Sequence, residues 1–192
     1  MTQLQTEIGM VRVPAGTWQV DPIHSSVGFE VKHMAISTVR GRFEEFDGVL
    51  EAAEDDPSHS HAWGRVNVAS IDTGNADRDS HLRSPDFFDV ERYPEMRFET
   101  TSIRHIEGGA YAVAGDLTIK DMTREVEVEA TVEGAAEDPW GNERAGISIR
   151  GEVNRTEFGL TWQQALASGG LLVGERVKIL IDLSVVRADQ DG

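Results

Sequence analysis

The stretch Asp77 to Asp89 reads DRDSHLRSPDFFD. Its first part brings Asp77, Arg78, Asp79, His81 and Arg83 close together in sequence. Asp77, Asp79 and His81 follow one another at i, i+2 and i+4. On a strand those three would share a face and could hold a metal. On a helix Asp79 points nearly opposite the other two, and the set does not converge. Asn75 ahead of the stretch is a capping residue, and acids early in a helix favour its positive end. The expectation is therefore a short helix and no metal. His24-Ser25-Ser26 sets a base beside a hydroxyl, but no Gly-x-Ser-x-Gly elbow accompanies it. His24 and His33 have an odd separation, so a regular strand would put them on opposite faces. His59 and His61 edge an acidic loop, Ala52 to Ser60, and read as solvated. Phosphate-loop and dinucleotide fingerprints do not occur. No catalytic residue and no cofactor is assigned. Two alternatives stay open. One is an enzyme using His24, His33 or His81 as acid or base on an apolar substrate. The other is an interaction module whose acidic surface meets a basic partner.

Composition narrows the field further. The 192 residues carry 34 acids against 18 lysines and arginines, for a net charge of -16. A field of that sign repels nucleic acid and anionic lipid surfaces. No cysteine is present, which removes thiolate chemistry and disulfides. No apolar run approaches the roughly 20 residues of a membrane helix, so stable membrane insertion is not expected. The N-terminus, MTQLQTEIGMVRVPAG, lacks a basic start and an apolar stretch. It reads as a cytoplasmic protein rather than one with a signal peptide. A homodimer is left open, since no sequence feature encodes one.

The elements that must position any site are strands. Alternation with period two recurs along the chain. Val27, Phe29 and Val31 alternate with Gly28, Glu30 and Lys32. Val66 and Val68 alternate with Arg65, Asn67 and Ala69, and Met96 and Phe98 with Arg97 and Glu99. Tyr111, Val113, Gly115, Leu117 and Ile119 form another face. REVEVEATVE alternates most cleanly, with Val126, Val128, Ala130 and Val132 together. Ile147, Ile149 and Val153 follow, then Val177, Ile179, Ile181, Leu183 and Val185. Each strand thus has one buried and one wet face. With Thr17–Asp21 and Val39–Ala52 the count is about eight or nine strands, the range of a sandwich or barrel. Short links such as Glu107-Gly108-Gly109 and Lys120-Asp121-Met122-Thr123 suggest an antiparallel up-and-down meander. Eight such strands closing on themselves can enclose one small ligand. Gly146 and Gly151, inside a strand, mark a bend or a close approach. No linker divides the chain, so residues 1–192 form one domain with a core at about 16–187. The ends, Met1–Pro14 and Ala188–Gly192, are expected to be loose.

Two regions break the period. One is the opening stretch, where Ser84-Pro85-Asp86-Phe87-Phe88 could cap and begin a second helical turn. The other, Asn154 to Gly174, carries Phe158, Leu160, Trp162, Leu166, Leu171 and Leu172, and is too apolar for a solvated loop. Both read as covers at the end of a barrel. At least one of Phe87 and Phe88 should turn inward, since neighbours on a helix point about 100° apart. The inward set is then Phe29, Val31, Val66, Val68, Met96, Phe98, Leu117, Ile119, Ile147, Ile149, Ile179 and Ile181, with Phe87, Phe88, Phe158 and Trp162 from the covers. Periodicity does not say whether these side chains fill a core or line a hollow.

Five stretches together resemble the YceI-like family of bacterial polyisoprenoid-binding proteins. They are WQVDPIHSSVGFEVKHM (Trp18–Met34), VRGRFEEFDG (Val39–Gly48), SIDTGNADRDSHLRSPDFFDVERYPEMRFE (Ser70–Glu99), GDLTIKDMTREV (Gly115–Val126) and NRTEFGL (Asn154–Leu160). The resemblance extends over roughly Thr17 to Val186. It implies an all-β, extended eight-stranded antiparallel barrel, lipocalin-like, with short helices over one end. It also implies an isoprenoid lipid ligand, a polyprenyl phosphate or isoprenoid quinone, held in an apolar tunnel by a noncatalytic carrier or store. The sixteen apolar residues are then the tunnel candidates. Arg40, Arg78, His81 and Arg155, in or beside the covers, are candidates for the polar head.

Overall fold

The computed structural model describes residues 10–167 and 169–188. Eleven strands form one antiparallel sheet. They are β1 (Gly16–Val20), β2 (Ser26–His33), β3 (Ser37–Phe43), β4 (Phe46–Ala52), β5 (His61–Asn67), β6 (Ile71–Asp72), β7 (Glu95–Glu107), β8 (Ala110–Ile119), β9 (Met122–Glu137), β10 (Glu143–Asn154) and β11 (Val173–Arg187). One α-helix, α1 (Ala76–Arg83), interrupts them. The sheet closes through β1, β4, β5, β7, β8, β9, β10 and β11 back to β1. That ring is an eight-stranded up-and-down barrel, and β2, β3 and β6 extend it.

Register explains the extra strands. β11 pairs its last residues with β1 and residues 173–182 with β2. β4 lies beside β1, and β3 beside β2. β5 lies beside β4, and β6 beside β3. So β1 with β2, β3 with β4 and β5 with β6 are three long strands, each broken once.

The breaks have local causes. Between β1 and β2 a 3₁₀ turn, Pro22–His24, is capped by Asp21, which accepts from the Ile23 amide. Ser25 Oγ then accepts from the Ser184 amide on β11. Between β3 and β4 the amides of Glu44 and Glu45 both donate to Ser70 Oγ, and the Glu44 amide also reaches the Ser70 carbonyl. Ser70 belongs to the 3₁₀ turn Val68–Ser70 that separates β5 from β6. One serine thus stitches two breaks together. The continuous strand expected over Val39–Ala52 is two strands, and Val68 lies in a turn rather than on the strand face.

Covers close both ends. At the end holding the β2–β3 hairpin, α1 starts on Asn75, whose side chain accepts from the Arg78 amide. Arg83 anchors the helix by donating to the carbonyls of Ala69 and Ile71. No second helix follows; Ser84–Phe88 is a turn, with the Phe87 amide donating to the Ser84 carbonyl. Beside it the 3₁₀ turn Arg155–Phe158 ends on Gly159 at φ 73°, a left-handed position that suits glycine. Phe87, Ile119, Phe158 and Leu160 form one buried cluster there.

The opposite end has a cover the sequence did not announce. Residues 1–9 and 189–192 fall outside the described residues, but Val11–Pro14 are not loose. The Val11 amide donates to the Gly108 carbonyl, and Tyr111 Oη donates to the Val11 carbonyl, both at 2.8 Å. Trp18 Nε1 donates to the Pro14 carbonyl at 2.8 Å. The Trp18 ring is fully buried under the Arg187 guanidinium, 5.0 Å from its centroid. Val13 packs with Trp18, Tyr111 and Val185 in a second buried cluster. A third, Phe43, Val68 and Ile71, sits beneath α1.

Candidate functional site

A cavity of about 420 Å³ lies inside the barrel, a size ordinary for small-ligand sites. Its walls are the inward faces of the alternating strands. β11 supplies Val177, Ile179, Ile181, Leu183 and Val185, and β9 supplies Val126, Val128, Ala130 and Val132. Val173 and Val185, at opposite ends of β11, both border it. Twelve residues at roughly 3.3 Å each, tilted about 40° to the barrel axis, give an axial reach of ~30 Å. The space is a tunnel.

Glycines explain why a core this apolar stays open. Gly41 stands opposite Phe29 across β2 and β3. A Cβ on Gly41 would meet Phe29 Cζ at 2.3 Å. Gly115 on β8 pairs with Thr100, one step along from Phe98 and Leu117, and a Cβ there would meet Phe98 Cζ at 2.4 Å. A Cβ on Gly151 would meet Val128 Cγ1 at 2.6 Å. Each bulky side chain therefore lies along the wall over a glycine rather than across the bore. Gly48 and Gly64 face each other across β4 and β5, and both border the tunnel. No side chain projects from either. Gly146, also in β10, sits at a register shift against β9, a bend rather than a ligand approach.

Thirteen of the sixteen tunnel candidates line the cavity. They are Phe29, Val31, Val66, Met96, Phe98, Leu117, Ile119, Ile147, Ile149, Ile179 and Ile181 on strands, and Phe87 and Phe88 in the cover. Both phenylalanines enter because they sit in a turn, where the helical 100° separation does not apply. Phe88 packs edge-on to Phe43, and Phe87 lies against Trp162. Val68, Phe158 and Trp162 do not line the cavity. Val68 packs under α1, Phe158 is wholly buried in the cover cluster, and Trp162 packs against that cluster beside His81. Tyr111, Val113, Ala130 and Val153 also border it; the same alternation marks them, and they belonged in the candidate set.

The four polar candidates do not come together. Arg40 lies on the outer face of β3, 2.6 Å from Glu30. Arg78 donates to the side chain and carbonyl of Thr73. His81 bonds Asp86 at 2.9 Å and stands edge-on to Phe87 and Trp162. None of these three borders the cavity. Arg155 does, and it is buried. Its Nε donates to the Gly174 carbonyl, and its terminal nitrogens donate to the carbonyls of Leu160, Trp162 and Val173. Burial pushes its guanidinium below the usual arginine range. Its first task is to clamp the second cover. Arg12 and Ser60 border the far end of the tunnel. Arg12 lies in the stretch up to Pro14 that the sequence marks as loose, so alternation gives no sign of it.

Several other polar groups named by the sequence are tied into structure. Asp79 turns inward and accepts from the Thr73 amide and hydroxyl, while His81 faces Asp86. His24 Nδ1 lies 2.7 Å from Asp21, and Ser25 Oγ donates to the Ser184 carbonyl. Asp21 also meets Arg144 at 2.7 Å, and Arg144 reaches Asp138 at 2.8 Å. Arg144 and then His24 pull the Asp21 carboxyl down to about 2. Arg144 and Asn142 hold Asp138 well below the usual carboxylate range.

A closed meander barrel around a long apolar tunnel defines an up-and-down β-barrel of lipocalin-like type. Comparison with known proteins places it more closely. The YceI-like domain matches residues 18–185, and the chain belongs to that family. A UPF0312 protein of Serratia proteamaculans (strain 568) is 36% identical over 165 residues, covering 86% of this chain and 82% of that protein. A UPF0312 protein of Staphylococcus epidermidis is 38% identical over 159 residues, covering 82% and 90%. Among solved structures, BcnA of Burkholderia cenocepacia superposes with a TM-score of 0.74 at 24% identity, covering 86% of this chain and 98% of that one. A polyisoprenoid binding domain from Saccharophagus degradans, implicated in plant cell wall breakdown, superposes at 0.69 with 14% identity, covering 89% and 98%. Among the described residues no helix is long and apolar enough to cross a membrane.

Proposed function

We propose that this protein binds one long isoprenoid lipid inside the barrel and serves as a noncatalytic carrier or store. The observation that carries the reading is the tunnel bordered at one end by Val173 and at the other by Val185, its bore kept clear by rings lying over Gly41 and Gly115. The polyisoprenoid binding domain from Saccharophagus degradans supports it through a shared fold. An isoprene repeat adds about 5 Å of extended chain at roughly 1.5 Å per bond. The ~30 Å reach then takes about six repeats. Burial contributes roughly 0.8 kcal/mol per carbon group, a gross gain far above the affinity left after association and chain ordering. Selectivity should follow tunnel length.

Arg155 is the head-group donor this reading retains. A guanidinium has five N–H groups, and four are used on carbonyls among the described residues. The one that remains suits a single head-group oxygen rather than a two-pronged phosphate grip. Titration with a ladder of polyprenols, read by native mass spectrometry, tests the proposal. Stoichiometric uptake rising with chain length is expected; empty protein at every length would overturn it.

A further inference from the structure

Three apolar side chains stand in solvent at one end of the tunnel. Ile36 is 81% exposed, Leu171 43% and Met34 38%. Met34 and Ile36 belong to the turn between β2 and β3. The Met34 amide donates to the Leu172 carbonyl, which sets Leu171 beside the turn. His33 pairs with Val173, and both Val31 and Val173 border the tunnel. The exposed trio therefore rims the tunnel's end.

The turn is held in a costly backbone shape. Met34 and Ala35 have φ of 53° and 59°. Two successive left-handed residues suit Gly or Asn, and neither occurs here. Strain of this kind collects at functional tips.

Charge around the tip differs from that of the whole chain. Lys32 and Lys178 make no ion pair among the described residues; Lys32 donates to Thr38. Arg40 and Arg176 stand nearby, paired with Glu30 and Glu152. With Glu175 added, the hairpin and the strand ends beside it hold four cations and three acids, and the cover at the same end adds groups of both signs, Asp77, Asp86 and Glu157 with Arg78 and Arg83, in a chain of net charge -16. Acids at the other end of the barrel lie ~30 Å away, beyond the roughly 8–10 Å over which salt leaves charges visible. The tip alone can then approach lipid phosphates without the repulsion expected of the whole chain.

We infer that the β2–β3 tip and Leu171 form a docking surface for a phospholipid bilayer. Met34, Ile36 and Leu171 enter the interfacial layer, and Lys32 and Lys178 meet the phosphates. The Val173 end of the tunnel then faces the membrane. The inference goes beyond lipid binding itself, and it is measured without any tunnel ligand.

Flotation of the full chain with phosphatidylcholine vesicles tests it. The protein should float with the vesicles. Ile36→Asp, at a solvent-facing position, should lower the bound fraction about tenfold or more, and Lys32→Glu with Lys178→Glu should lower it as well. Uptake of dispersed geranylgeraniol should be unchanged in Ile36→Asp. Wild-type protein that stays below the vesicles, or Ile36→Asp that floats equally, would overturn the inference. Light scattering that shows a wild-type dimer split by Ile36→Asp would also overturn it, by making the tip a self-association surface. Loss of geranylgeraniol uptake in folded Ile36→Asp would do so too, by placing the tip within the lipid site.

Discussion

Plugging the tunnel partway gives a prediction that depends on its length. Ala130 on β9 pairs with Ile149 on β10 and with Tyr111 on β8, and Ile149 pairs with Ile181 on β11. All four border the tunnel. Ala130→Phe puts a ring into open bore at that level, and phenylalanine suits a strand. From Val173 to Ile181 is eight residues of β11, about 26 Å along the strand and ~20 Å along the axis. That leaves room for about four isoprene repeats in place of about six. Each lost repeat removes five carbon groups, roughly 4 kcal/mol gross. A tail that folds back recovers part of this. Competition binding with prenols of increasing length should show affinity climbing to about six repeats in the wild type. In the variant it should level off at about four, with an unchanged circular dichroism spectrum. Identical ladders would refute the tunnel geometry. A plateau near two repeats would refute entry from the Val173 end, since only four residues separate Ile181 from Val185.

Three further outcomes follow from named contacts. Gly41→Ala should drive the Phe29 ring off the wall, with a loss of roughly 1–3 kcal/mol of stability and reduced long-chain uptake; adding Phe29→Leu should restore both in melting and binding assays. Arg155→Met removes a donor from four carbonyls, with Val173 keeping another in Gln163, and should cost about 3–5 kcal/mol in urea unfolding, with the segment around 155–174 becoming the first site of protease cleavage. The Asp21 carboxyl is held below its unfolded value, so its pairing with Arg144 stabilises fully above about pH 4 and is lost as pH falls through about 2. The stability gap between wild type and Arg144→Met should therefore be constant near neutrality and shrink between about pH 4 and 2.

The strands were legible because one face of each is buried and the other wet. REVEVEATVE and VKILIDLSV placed the inward faces of β9 and β11 correctly. The breaks in the first three long strands were not legible. They depend on Ser25 meeting Ser184 and on Ser70 meeting Glu44 and Glu45, contacts that join distant residues. Hollow against filled was equally hidden. It turns on which residue of the next strand each ring leans over, and Gly115 stands seventeen positions after Phe98. Arg40 was misplaced for an avoidable reason. It has the opposite parity to Gly41 and Phe43, the inward residues of β3, so alternation alone would have put it outside. Arg155 was near the site for a reason the sequence does not show, since its partners are backbone carbonyls.

A crystal structure of the protein as purified, with no ligand added, shows whether the barrel holds a lipid. Continuous, elongated density should run inside the barrel past Ile181 and Phe98, with its polar end at Arg155. A bore closed by Phe29 and Phe98 turned across it, with no such density, would leave no room for a lipid and rule out a carrier of this kind.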